Sequence, residues 1–554
     1  MFIDDQTIGR GNKTYRRVLL RNSYRVNGKV RHDTIANLSK CSDEEIEALK
    51  WALKNKHRIH ELGPLSDNLK IRQGRSVGSV WVLYRLAKRL GIVDALGSGR
   101  EAQLALLMII SSVIGHNSRL SIVRNANNFA YCDILGIDKP FDEDDLYQAM
   151  DWLADRQDDV EQKLFRHRYK NSVPTLYLYD VTSSYLEGEL NELAAYGYNR
   201  DKKKGKKQIV IGLLTDEQGV PLSVEVFRGN TADTRTFAQQ IEKIRDRFGA
   251  VRVVMVGDRG MIKSMQIDEL NRNKFNYITA ITKSQIEGML KKGVFQMDMF
   301  DEELTEVEHE GIRYILKRNP CRAAEISKNR ESKIKVVARL AEEQNVYLQK
   351  HSRARTDVAV RKVENKINKL KLHKWFSVSS NGRTLKLQID ETGMLEDSRL
   401  DGCYTIKTDL KPEEASAEIA HARYKDLANV EQGFRTMKSK FLELRGIFVR
   451  KEARTRAHVF VVMLAYLLSY HLYEYWKELE VTVEEGVNEL SSICAIMVSY
   501  QEKAEFQSIP EPRTLGRALL DAAGFTLPEV LPGKDITVAT RKKLVEERKI
   551  ANSA

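Results

Sequence analysis

Three acidic residues stand where an acid is costly unless something compensates it. Asp180 follows the apolar and aromatic run of "TLYLYDVTSSYLEG", and Asp258 ends the apolar run of "VRVVMVGDRG". A carboxylate on or just past a central strand must be paired or bound to a cation. For either aspartate alone, a helix cap or turn residue is the simpler reading. Two of them on separate strands of one α/β unit point further, because strand ends in such sheets commonly carry the site. The third acid, Glu431, lies in "ARYKDLANVEQGFRTMKSKF" (422–441), which reads as one helix. Tyr424, Glu431 and Lys438 recur there every seven residues. That spacing is about two helical turns, so the three share a face. Leu427 and Arg435 flank the same face. Val430, Phe434, Met437 and Phe441 form a parallel apolar stripe fit to pack the helix on a sheet. The bland alternative is an amphipathic helix whose charges are simply solvated.

If the two strands are neighbours, their carboxylates converge and repel. A hard divalent cation removes that repulsion, and Mg²⁺ favours oxygen ligands, with Mn²⁺ as a substitute. With Glu431 as third ligand, two ions about 4 Å apart can be held, the arrangement used for in-line phosphoryl displacement. Lys438 would then meet a phosphate, Tyr424 would bond a phosphate or stack on a base, Arg435 would contact a backbone, and Arg259 would contact DNA or fix the metal ligands. The loop "NRDKKKGKKQ" (199–208) adds Arg200, Lys202, Lys203, Lys204, Lys206 and Lys207 against a single Asp201. Beside Asp180 this loop would neutralise phosphates; a solvated charged loop is the alternative. In "RGNTADTRTF", Thr231 or Asp233 reads first as a helix cap. His458, at the head of an apolar helix, reads as a structural histidine.

The elements that must position these residues follow from pattern. The chain has 554 residues, 42% of them apolar and only 10 proline, enough for several cored domains. Its net charge of +13 points to a polyanionic partner, most simply nucleic acid, with charge for solubility alone as the alternative. Five scattered cysteines without a C-x-x-C pair suggest neither a zinc site nor a disulfide framework, and fit a reducing cytoplasm. The apolar run at 459–473 is short for a membrane span and reads as a buried core helix. Residues 1–77 read as a basic β-hairpin, turned at Asn27-Gly28, with a helix capped at "SDEE" (42–45). A helical region at 78–170 is a candidate for DNA-end binding. Residues 171–285 give β-β-β-α-β-α-β, a mixed five-stranded sheet. An inserted mixed domain (286–404), a second core part holding Glu431 (405–510) and a tail (511–554) complete the chain.

This constellation resembles the DDE transposases of bacterial insertion sequences. One large group of them carries Y-x2-R-x3-E-x6-K around the third acid; here Tyr424, Glu431 and Lys438 match while Leu427 replaces the Arg. Arg423 and Lys425 are the neighbouring candidates to substitute for it. The resemblance extends to "YDVTSSYLEG", "VFRGNTADTRTF" and "GDRGMIKS", covering about 170–285 and 405–475. It implies an RNase H-like core and a catalytic, metal-binding set of Asp180, Asp258 and Glu431. It also implies cleavage at transposon ends followed by 3′-OH strand transfer, a homodimer joining two ends, and a cytoplasmic, nucleoid-associated protein. An RNase H-like structure-specific nuclease and a catalytically retired DNA-binding protein are the alternatives. Strand joining separates the former, and loss of an acid would mark the latter.

Overall fold

The protein is described by a computed structural model covering all residues except 11–12, 58–68, 116–117, 171–172, 202, 445–446, 501–503, 532, 534–535 and 541–554. It forms two compact units, Met1–Gly74 with Cys494–Pro510, and Arg75–Ile493 with Glu511–Ala554.

In the first unit, β1 (Phe2–Arg10), β2 (Lys13–Val26) and β3 (Lys29–Asn37) form an antiparallel meander. Asn27 and Gly28 both adopt positive φ, +49° and +81°, which a type I′ turn requires. The predicted hairpin is therefore present, preceded by a strand that the sequence reading did not find. Helix α1 (Asp43–Lys54) is closed by the Ser42–Glu45 capping box. Strand β4 (Leu69–Ser76) joins a second small sheet with Cys494–Tyr500 and Ala504–Ser508. This pairing takes 494–510 out of the segment assigned to the core and into the unit of the N-terminal strands.

The second unit starts with helices, as the pattern predicts for 78–170. They include α2 (Gly78–Arg89), α3 (Arg100–Ile114) and α4 (Glu143–Arg168), the last opened by a reciprocal Asp142–Asp145 cap. Then come β5 (Leu176–Tyr185), β6 (Gln208–Thr215), β7 (Pro221–Arg228), α5 (Asp233–Glu242), β8 (Val254–Gly257), α6 (Ser264–Arg272) and β9 (Asn276–Ala280). In the sheet these strands lie in the order β9-β8-β5-β6-β7. β6 is antiparallel to both β5 and β7, while β5–β8 and β8–β9 are parallel.

The sheet has eight strands rather than the five expected. β10 (Thr305–His309) and β11 (Ile312–Arg318) come from the inserted segment, which then runs out through α7 (Pro320–Lys350), α8 (Thr356–Lys369), β12 (Phe376–Asn381) and β13 (Thr384–Ile389). It returns as β14 (Cys403–Thr408), which pairs with the edge of β9, and β11 and β10 continue the sheet beyond it. An open edge leaves amide groups unpaired, and β14 satisfies those of β9. The distal part, α7, α8, β12 and β13, has its own core, built on Val337, Leu348, Val363, Trp375 and Phe376, while Phe295, Phe300, Tyr314 and Leu316 form a second cluster nearer the sheet. Its 31-residue helix α7, started by Asn319 and Pro320, lies ahead of the helical stretch the sequence suggested.

Glu431 follows on the pair α9 (Ala417–Lys425) and α10 (Leu427–Met437), and α11 (Glu452–Trp476) is almost wholly buried along 457–469, as the core-helix reading requires. No single helix among the described residues is long and apolar enough to cross a membrane.

Candidate active site

The register of the parallel pair β5–β8 matches Leu178 to Val256 and Tyr179 to Gly257. The next step along both strands is Asp180 beside Asp258. Side chains alternate across a strand. Tyr177, Tyr179 and Val181 enter the core with Phe237 and Ile241, so Asp180 turns to the other face, where α10 packs on β5. Val430, Phe434 and Met437 are the buried side of α10 and hold it there, as the stripe predicts. Phe441 lies past the helix end at Met437 and is not part of that face.

The 422–441 segment is two helices, not one. The chain tightens at Asp426, whose carbonyl accepts from the Asn429 N–H at 2.9 Å, an i→i+3 bond. Tyr424 therefore belongs to α9 and Glu431 to α10. Both still line one cavity of about 620 Å³, together with Asp180, Asp258, Arg200 and Asp233.

The electrostatics of this cavity are those of crowded acids. Burial, then the negative charges of Asp258 and Glu431, push the Asp180 carboxyl up to about 7, against the Val181 N–H and the Arg200 charge that lower it. Asp258 accepts from the Arg259 N–H at 2.8 Å and from the Tyr424 hydroxyl at 3.5 Å. Burial, then the Asp258 charge, hold the Tyr424 hydroxyl far above its ordinary value. Tyr424 thus addresses the second acid. Oxygen donors on three elements, with accumulated negative charge, suit a hard divalent cation. Among the described residues, no three His, Cys, Asp or Glu side chains are drawn close enough to ligate one ion together.

The expected DNA contacts divide. Lys438 is not free to meet a phosphate in this structure. Its ammonium donates to Thr182 Oγ1 at 2.8 Å, the Ser183 carbonyl at 2.6 Å and Asp201 Oδ1 at 2.9 Å. The reason is that α10 ends at Met437, leaving Lys438 to reach β5. Arg200 is likewise engaged, both Asp233 oxygens lying 2.7 Å from its Nη2. Asp233 is the first residue of α5, behind an Ala232 cap position without a side-chain bond, so neither it nor Thr231 caps that helix. Lys206 pairs with Glu187 at 2.8 Å, and the Lys203 ammonium lies over the Tyr185 ring. Lys204, Arg259 and Arg435 are exposed and Lys207 is half-buried; Lys202 lies outside the described residues. Of the two candidates to replace the signature Arg, Lys425 lines the cavity while Arg423 pairs with Glu217 at 2.8 Å. Asn319 and Tyr404 also line the cavity. They come from the inserted segment, and nothing in the local sequence marks them. His458 is buried beside Arg119, and burial with that charge pushes it down to about 3, a neutral structural group.

Comparison with known proteins gives two family matches. Residues 171–468 match the family described as "Transposase DDE domain", and residues 6–64 match "IS1634 family transposase, N-terminal domain". Among solved structures the chain is similar to a piggyBac transposase synaptic complex with hairpin DNA, at 8% identity and a TM-score of 0.37, covering 83% of this chain and 89% of that one. No curated protein matches.

Proposed function

Because the chain belongs to the DDE transposases, its DDE-domain match spanning more than half of its length, we propose that it cuts DNA at the ends of a mobile element and joins the freed 3′-OH to target DNA. Asp180, Asp258 and Glu431 are its catalytic, metal-binding residues. The observation that carries this reading is their shared cavity, where Asp180 is held against its own ionisation by burial first and by two further carboxylates after it. The order β9-β8-β5-β6-β7, with β6 antiparallel to both β5 and β7 and with β5, β8 and β9 parallel, supports an RNase H-like core.

Asp180, Asp258 and Glu431 would hold divalent ions, Mg²⁺ or Mn²⁺, which when bound supply charge neutralisation at the attacking and leaving oxygens of a phosphodiester. The chain's own residues orient that set. The β5–β8 register sets the two aspartates side by side. Tyr424 and the Arg259 N–H fix the Asp258 carboxylate, and the buried stripe of α10 holds Glu431 toward them. No protein nucleophile is required, since both water and a 3′-OH arrive with the reaction. DNA is the partner, met by exposed cations such as Lys204, Arg259 and Arg435, and two copies bring two ends together.

The test uses Asp180→Ala, Asp258→Ala and Glu431→Ala in a two-ended cleavage and strand-transfer assay with Mg²⁺ or Mn²⁺. Each variant is expected to lose cleavage while keeping end binding. Full cleavage by any one of them removes that residue from the set. Cutting without joining by the wild-type chain would instead assign a structure-specific nuclease.

A further inference from the structure

The loop between β5 and β6 carries two tyrosines that the reaction does not use. Tyr196 is 67% exposed and Tyr198 is 81% exposed. Exposed aromatic rings are ordinary on a loose loop, but this loop is fastened. Ala195 and Gln208 exchange both backbone hydrogen bonds, at 3.0 and 3.2 Å. The Gly229 N–H donates to the Leu193 carbonyl at 3.0 Å, and the Gln208 side chain donates to the Tyr198 carbonyl at 3.1 Å. Gly197 packs so tightly that a Cβ there would lie 2.1 Å from the Gly229 carbonyl oxygen. The rings are thus presented to solvent on rigid backbone, with little ordering entropy left to lose on binding.

Their surroundings choose the partner. The Arg200 guanidinium lies 5.6 Å from the Tyr198 ring centroid, and Arg200 lines the cavity of the three acids. Tyr198 is one side chain removed from the site. Lys203 and Lys204 follow on the same loop, both exposed. Exposed aromatic rings followed on the same loop by cations suit a single strand, whose bases stack while its phosphates are neutralised. A second protein copy would find a positively charged surface identical to its own.

We propose that Tyr196 and Tyr198 form a stacking platform for unpaired bases of a DNA strand beside the catalytic cavity. This rests on the transposase reading and adds to it a contact to bases rather than to phosphates.

The test measures binding of a fluorescent oligothymidine and of a blunt duplex of equal length to the full chain. Tyr198→Ala and Tyr196→Ala are each expected to weaken the single strand by about tenfold and to leave the duplex within about twofold. Tyr198→Phe keeps the ring and should bind as wild type, which separates stacking from misfolding. Lys204→Ala should lower the salt slope on the single strand by roughly 0.7, whereas Tyr198→Ala should not change it. Equal losses on both probes, or a Tyr198→Phe variant as weak as Tyr198→Ala, would overturn the platform. So would a shift in sedimentation from dimer to monomer in Tyr198→Ala, which would assign the surface to a second copy. Failure of wild-type strand transfer refutes the functional reading instead. Strand transfer with undiminished single-strand binding in Tyr198→Ala and Tyr196→Ala refutes the platform alone.

Discussion

Replacing Lys438 by alanine should damage the fold around the site rather than a DNA contact. The Lys438–Asp201 pair is nearly dry, with side chains 11% and 5% exposed at 2.9 Å. Removing one partner of such a pair leaves the other charge buried, which costs about 3–5 kcal/mol. Residual exposure of Lys438, and the Tyr185 N–H that Asp201 still accepts at 3.3 Å, place this case near the low end, about 3 kcal/mol. Asp201→Asn leaves the ammonium with the Thr182 and Ser183 oxygens and should cost about 2 kcal/mol. Because the two changes remove one interaction, Lys438→Ala with Asp201→Asn should fall short of additivity by about 1–3 kcal/mol. Urea unfolding of the four chains gives the cycle, and end binding from low to high salt gives the second readout. The salt slope of Lys438→Ala should equal that of wild type, since no phosphate contact is lost. A slope reduced by about one, with unfolding unchanged, would restore Lys438 as a phosphate ligand and refute this account.

Two further outcomes depend on pH. Asp180 has a folded value raised to about 7, so it favours the folded state fully only below its ordinary 3.8, and that contribution is lost as pH rises through 7. Asp180→Asn should therefore unfold at higher urea than wild type at pH 8 without divalent ions, and added Mg²⁺ should narrow the gap by stabilising only the wild type. His458 shows the opposite sign. Its folded value is depressed to about 3, so its contribution is complete above 6.5 and is lost as pH falls toward 3. His458→Gln should flatten the acid side of the stability profile, and an unchanged acid limb in circular dichroism would count against it.

What could be read from the sequence was what is local. Asp180 and Asp258 announced themselves because each closes an apolar run, and the helix–strand order before Asp258 followed from periodicity. The Asn27-Gly28 turn and the Ser42 cap needed only a few consecutive residues. The misses are long-range. Lys438 finds Asp201 across 237 positions, and no spacing rule anticipates that pair. The strand Cys494–Tyr500 pairs with Leu69–Ser76, at opposite ends of the chain. β10, "TEVEH", alternates so strongly with charge that it reads as surface, which is what an outermost strand should look like. The break at Asp426 was hidden because an i→i+3 tightening leaves the apolar spacing almost intact.

The way β14 enters the sheet limits how this enzyme can change in length. Its neighbours are β9 on one side and β11 on the other, so the inserted segment is stitched into the core at its exit as well as its entry. From β14 the chain passes to Asp409, whose carboxylate accepts from the Tyr277 N–H at 2.9 Å, and on to the helices that carry Glu431. A minimal enzyme made by excising 286–404 would remove β10, β11 and the first residues of β14, leaving the stub that pairs with β9 as a bare edge just ahead of the helices that carry Glu431. Homologues should gain or lose residues at the tip, between α7 and β13, where a separate core absorbs the change. The trunk strands should keep their number across lineages.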